Sequence, residues 1–201
     1  MTDTLTGNAP VSHAGELPRH PPGDLAIWVF ILAELLAFGV FFAVYAVTRM
    51  KNVTLFDAMQ PNLDRDAGAI NTVLLLAGSW CVARSVDAIA CDARPASVRW
   101  LGAAIACGFG FLVVKVFEYG AKFAAGINLA TNDFYMFYLS LTFFHFMHVI
   151  LGMAILIAVW IKATAGGYSA ADHRGMETGA AYWHMVDLVW IILFPLVYVM
   201  R

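Results

Sequence analysis

LAIWVFILAELLAFGVFFAVYAV, Leu25 to Val47, carries one charged residue, Glu34, in an otherwise apolar run. A helix of that length spans about 34 Å, enough to cross a hydrocarbon layer of about 30 Å. A segment in lipid must satisfy its own backbone hydrogen bonds, so the run predicts a membrane-spanning helix. Four further stretches read the same way: Ala67 to Val86, Val98 to Phe123, Phe134 to Ile161 and Ala180 to Met200. The connections carry charges and breakers, among them Pro61, Asp64, Arg65, Asp92, Pro95, Gly126, Asn128, Gly166 and Asp172. The fold class expected is an all-α integral membrane protein, a five-transmembrane-helix bundle over residues 25–201, preceded by a polar mobile tail at residues 1–24.

Composition agrees. The 201 residues are 61% hydrophobic and 13% charged, whereas soluble domains carry about a quarter charged residues. A net charge of -2 and the lack of a phosphate-cradling glycine loop exclude nucleic acid as a partner. Cys81, Cys91 and Cys107 are odd in number and never spaced CxxC, so they read as packing residues rather than thiolate ligands. The tail shows no apolar stretch before a small-residue cleavage site, so the first span is expected to direct insertion. No internal repeat marks a transporter of inverted halves. An odd number of spans places the termini on opposite sides. With the N-terminus inside, six Lys and Arg residues fall inside and five outside, a narrow balance.

The informative residues are the ionisable ones within the spans, because a charge at mid-bilayer costs at least about 2.5 kcal/mol. They are Glu34, Lys115, Glu118, His145, His148, His184 and Asp187. Helical rise sorts them by depth. Glu34, His148, His184 and Asp187 form one expected polar layer, and Lys115, Glu118 and His145 a second nearer the opposite face. Glu34 is expected to pair with a histidine or hydroxyl of another helix, and Glu118 with Lys115 or His145. His145, His148 and Gly152 share one helix face, as do His184 and Asp187, so both stripes should point into the bundle. Imidazoles with carboxylates suit iron, copper or zinc, but the HxxH pair stands alone, and the expectation is no metal. A di-metal membrane enzyme and a proton or solute carrier are the competing readings of the same residues.

Gly102, Ala106 and Gly110 recur every fourth residue and predict a close helix approach there. Trp28, Trp80, Trp100, Trp160, Trp183 and Trp190 mostly lie towards span ends, as an interfacial belt requires. Pro195 falls within the last span and predicts a kink.

Four stretches together carry a family resemblance. WVFILAELLAFGVFF at Trp28 to Phe42, KVFEYG at Lys115 to Gly120, FHFMHVILG at Phe144 to Gly152 and YWHMVDLVW at Tyr182 to Trp190 resemble, in order, the conserved helices of haem-copper oxidase subunit III. Phe146 departs from the glycine that many relatives carry after the first histidine of HxxH. The resemblance implies a non-catalytic subunit of a bacterial respiratory complex, with no cofactor of its own. Haem, and any copper or non-haem iron, would lie in partner subunits, chiefly a catalytic haem-containing membrane subunit. It also implies structural phospholipid, with Glu34, Trp28 and Trp183 as candidate lipid contacts, and support of electron transport and proton uptake. The five-helix length is similar to the short branch that includes quinol oxidase subunits and the nitric-oxide-reductase-associated type, and PGDLAIWVFILAELL at Pro22 to Leu36 favours the latter. The bacterial inner membrane is the implied location, with the N-terminus cytoplasmic and the C-terminus periplasmic.

Overall fold

The computed structural model describes residues 25–200; the expected tail at residues 1–24 and Arg201 lie outside the described residues. Six α-helices follow in chain order: α1 Leu25–Lys51, α2 Val53–Met59, α3 Arg65–Ala90, α4 Arg94–Ala124, α5 Asp133–Thr164 and α6 Arg174–Phe194. A 3-10 turn, Gln60–Asn62, follows α2, and a π-helix, Pro195–Val199, continues α6. Five helices, α2 excepted, are long and apolar enough to cross a membrane. All five expected spans are therefore present, most of them longer than the apolar runs that announced them. The extra turns hold residues such as Arg65, Asp66, Arg94, Lys162 and Arg174, which a helix tolerates once it has left the hydrocarbon and can be capped.

The caps are explicit. Asp64 Oδ1 accepts from Ala67 N at 2.9 Å to start α3, and Asn132 Oδ1 accepts from Tyr135 N at 2.9 Å to start α5. Pro95 stands in the first turn of α4, where its missing N–H costs nothing. Three helices end on a residue of positive φ, Asp92, Gly126 and Gly166. Each is followed by a backbone N–H that reaches back five residues, as from Ile127 to the Lys122 carbonyl at 3.1 Å.

The α2 turn was not legible as a helix. It sits in the first connection and drives Phe56 under the bundle, where its ring meets Tyr45 at 5.5 Å and Phe134 at 5.4 Å between centroids. The long helices assemble around α6, which touches α1, α3 and α5, while α3 and α4 form the most extensive pair. α1 is peripheral: only Ile31, Phe38 and Tyr45, seven residues apart, are buried, a single seam on an otherwise lipid-facing helix.

Two packing expectations are corrected. Trp183 and Trp190 are not belt residues but lie wholly inside the bundle. Trp183 fits because glycines surround it: a Cβ added at Gly108 would meet its ring at 2.7 Å, one at Gly152 at 3.1 Å and one at Gly78 at 3.6 Å. The closest approach therefore runs through Gly108; of the expected stripe only Gly110 is tight, where an added Cβ would meet Leu74 of α3 at 3.3 Å. Ala106 is exposed, and a Cβ on Gly102 would reach only the Trp160 ring nitrogen, at 3.8 Å. Four-residue spacing places residues on one stripe without saying which stripe faces a neighbour.

Candidate functional site

The intramembrane ionisable residues resolve into three separate hydrogen-bonded groups rather than two continuous layers. The most fully enclosed is built on Lys115, which is fully buried, and Glu118 one turn further along α4. Lys115 Nζ donates to Glu118 Oε2 at 2.9 Å and to the Tyr198 hydroxyl at 2.7 Å. Glu118 Oε1 accepts from Tyr138 at 2.6 Å and from Tyr198 at 2.7 Å. The carboxylate thus faces an ammonium and two phenols, and the ammonium lies 4.9 Å from the Trp190 ring centroid and 5.2 Å from that of Tyr198. A buried ion pair is tolerable when further hydrogen bonds surround it, and here Tyr138 and Tyr198 supply them.

Pro195 explains how Tyr198 reaches this pair. Its ring removes the N–H that would continue α6, and the chain widens into a π-turn closed by Met200 N donating to the Pro195 carbonyl at 2.8 Å. The expected kink is thus a change of helical register. Carbonyls near that end find side chains instead: Gln60 Nε2 donates to Val197 O at 3.0 Å and Tyr45 Oη to Leu196 O at 3.3 Å.

The second group joins α1 to α5. His148 Nδ1–H donates to the Phe144 carbonyl at 2.8 Å, and Nε2 lies 3.0 Å from Glu34 Oε2. A carbonyl only accepts, so Nδ1 holds a hydrogen and a single proton is shared between Nε2 and the carboxyl. Either as imidazolium with carboxylate or as imidazole with carboxylic acid, the pair is net neutral. That neutrality lets Glu34 lie within an apolar helix at modest cost. The third group is on α3 and α6, where Ser79 Oγ and His184 Nδ1 are 2.6 Å apart. Asp187, one turn along α6, is buried beside Ser79.

His145 joins none of these groups. Its Nε2–H donates to the Val186 carbonyl at 3.1 Å, and its ring packs against Trp190, Phe111 and Phe38. Of the two partners expected for Glu118, Lys115 is the one found. Among the described residues, no three His, Cys, Asp or Glu side chains converge as metal ligands. Trp28 is half-buried at the edge of a groove, whereas Trp183, expected to touch lipid, is enclosed by protein on every side.

Tyr138, Tyr198, Ser79 and Thr72 escaped the sequence reading because it counted only groups that are charged near neutrality. Thr72 Oγ1 accepts from Trp190 Nε1 at 2.9 Å and donates to Gly68 O at 2.9 Å. Tyr138 lay seven residues before His145, on the same helix face, and that spacing was the available signal.

Comparison with known proteins adds the family. The family model for cytochrome c oxidase subunit III matches residues 23–201. Cytochrome c oxidase subunit 3 of Synechocystis sp. (strain ATCC 27184 / PCC 6803 / Kazusa) is 32% identical over 204 residues, which cover 100% of this chain and 84% of that protein. Cytochrome c oxidase subunit 3 of Thermostichus vulcanus is 32% identical over 194 residues, 94% of this chain and 92% of the relative. The Heme-copper oxidase subunit I+III of Aeropyrum pernix is 29% identical over 179 residues, 86% of this chain but 22% of that longer protein.

Proposed function

The chain belongs to the cytochrome c oxidase subunit III family, and from that premise we propose that it is the non-catalytic third subunit of a bacterial haem-copper oxidase embedded in the inner membrane. The observation that carries this reading is the family match over the whole membrane domain, residues 23–201. The geometry supports it. Glu118, Glu34 and their basic partners are closed into neutral pairs, as a scaffold needs. The hydrogen bonds among the described residues form no file from one face to the other, as a proton carrier needs.

The partner is a catalytic, haem-bearing helical subunit of the subunit I type, in line with the name of the fused Aeropyrum pernix relative. Oxygen is the substrate of the complex that the relatives' names favour. The Pro22 to Leu36 stretch, which pointed to a nitric oxide reductase, is weighed against them by experiment. Phospholipid acyl chains fill an apolar groove of about 720 Å³ bordered by Phe41, Phe123, Leu139, Phe143 and Met147, and the assembly sustains proton uptake by keeping the catalytic subunit in place.

The test is purification of the tagged chain from its own membranes in mild detergent, followed by visible spectroscopy, partner mass and assay with oxygen and with nitric oxide. A haem spectrum in a co-purified larger subunit that consumes oxygen is the expected result. A haem-free preparation of the chain alone would overturn the assignment. Consumption of nitric oxide in place of oxygen would move it to the reductase branch.

A further inference from the structure

Of the seven ionisable residues at span depth, six are buried or half-buried, and His184 alone is exposed. Its Nδ1 is satisfied by Ser79 Oγ at 2.6 Å. Its ring borders a groove of about 490 Å³ between α1, α3 and α6, with Leu35, Val86, Met185 and Leu188 among the apolar residues beside it. His184 lies seven residues past Glu177 on α6, about 10 Å deeper along the helix. At that depth acyl chains offer neither donor nor acceptor, and a polar ring nitrogen left to them costs free energy.

We propose that this groove is the docking face for a transmembrane helix of the catalytic subunit, with His184 Nε2 hydrogen-bonded to a polar side chain or backbone carbonyl of that helix. The proposal rests on the subunit III reading given above and adds to it the face and the anchor. Two further observations favour a protein helix over a phospholipid. Ala83, Ala180 and Ala181 border the groove, and small residues let a second backbone come near enough for an interhelical hydrogen bond. The mouth carries the carboxylates of Asp87 and of Glu177, the latter 3.4 Å from His173 Nε2, and the Asp87 charge repels a lipid phosphate. Asp87 is exposed and only loosely held by Arg84, at 3.9 Å. By contrast, the groove near Phe41 and Phe143 is bordered mainly by apolar side chains, with Tyr119, Asn128 and Ser140 its polar members and no carboxylate or imidazole.

The experiment uses the assembled complex in native membranes. A photo-crosslinking phenylalanine analogue is placed at Leu188, 47% exposed on the groove, and in a second strain at Phe109, 63% exposed on α4 away from it. Crosslinking from position 188 to a peptide of the haem-bearing subunit, with position 109 reaching lipid, is the expected result. The reverse pattern, or lipid adducts alone at 188, would overturn the proposal. In parallel, His184→Leu should lower the haem protein retained on the tagged chain by about threefold to tenfold, and His184→Gln, which keeps an outward polar group, should restore it. Equal retention in His184→Leu and wild type would also overturn it. If His184→Leu does not accumulate, the crosslinks on the native histidine still decide. A wild-type chain that retains no haem protein would refute the subunit III reading itself, whereas haem retention with lipid-only adducts at 188 would refute only this docking face.

Discussion

Lys115 is the residue on which the interior depends most, because it is fully buried, hydrogen-bonded to Glu118 and Tyr198, and faces the Trp190 ring. Removing its ammonium leaves the Glu118 carboxylate with two phenol donors and no opposing charge. Unpairing a buried ion pair costs about 3–5 kcal/mol. Lys115→Met should therefore lower the unfolding free energy by that order in mixed-micelle denaturation. Replacing both members, Lys115→Met with Glu118→Leu, removes the stranded charge and should recover most of the loss. A double variant as unstable as the single would show that packing, not charge, holds the site. The sequence revealed that Lys115 and Glu118 belong together, since they stand one turn apart on an apolar helix. It did not reveal Tyr138 and Tyr198, because a phenol within a span is unremarkable until a carboxylate is found in front of it.

At the level of the helices, two local features decide how side chains meet. The first is Pro195, whose missing N–H turns the end of α6 into a π-helix and brings Tyr198 to Glu118. Tyr198→Phe removes two strong hydrogen bonds and should cost about 1–3 kcal/mol in the native background. In a Pro195→Ala background the last turn regains α-helical register, Tyr198 rotates off the carboxylate, and the same change should cost close to nothing. A double-mutant cycle in detergent measures that coupling directly. The second feature is Gly108, where an added methyl meets the Trp183 ring at 2.7 Å and also the Met153 sulfur. Gly108→Ala should destabilise by about 1–3 kcal/mol through overpacking. Gly120→Ala, with nothing within 4 Å of the added carbon, should gain up to about 1 kcal/mol of helix propensity. Thermal unfolding of the two variants side by side separates contact from propensity. Both features were half-legible: the sequence announced a disturbance at Pro195 and a glycine stripe on the third span, but the partners that give them meaning come from α6 and α5.

For the whole molecule, hydrophobic run length alone was enough to give the number of spans, since water-free surroundings leave a helix as the only local solution. Which faces pack was not encoded so simply. α1 is apolar all round, and only the seam of Ile31, Phe38 and Tyr45 is buried, so periodicity carried no information there. Orientation is likewise weakly encoded, because Arg84, Arg94, Arg99, Lys162 and Arg174 on one side face Arg49, Lys51, Arg65 and Lys122 on the other. That slight excess is too small to orient the bundle by itself; we propose, with the family resemblance, that the first side and the start of α1 face the cytoplasm. Cys91 is a native probe of this arrangement: it is exposed in the turn between α3 and α4, while Cys81 is buried and Cys107 half-buried within the spans. A membrane-impermeant maleimide should leave the chain unmodified in intact spheroplasts and label it once, at Cys91, after permeabilisation. Labelling of intact spheroplasts would put that turn in the periplasm and invert the bundle, with Asp87 and Glu177 at the mouth of the α1, α3 and α6 groove then facing outward.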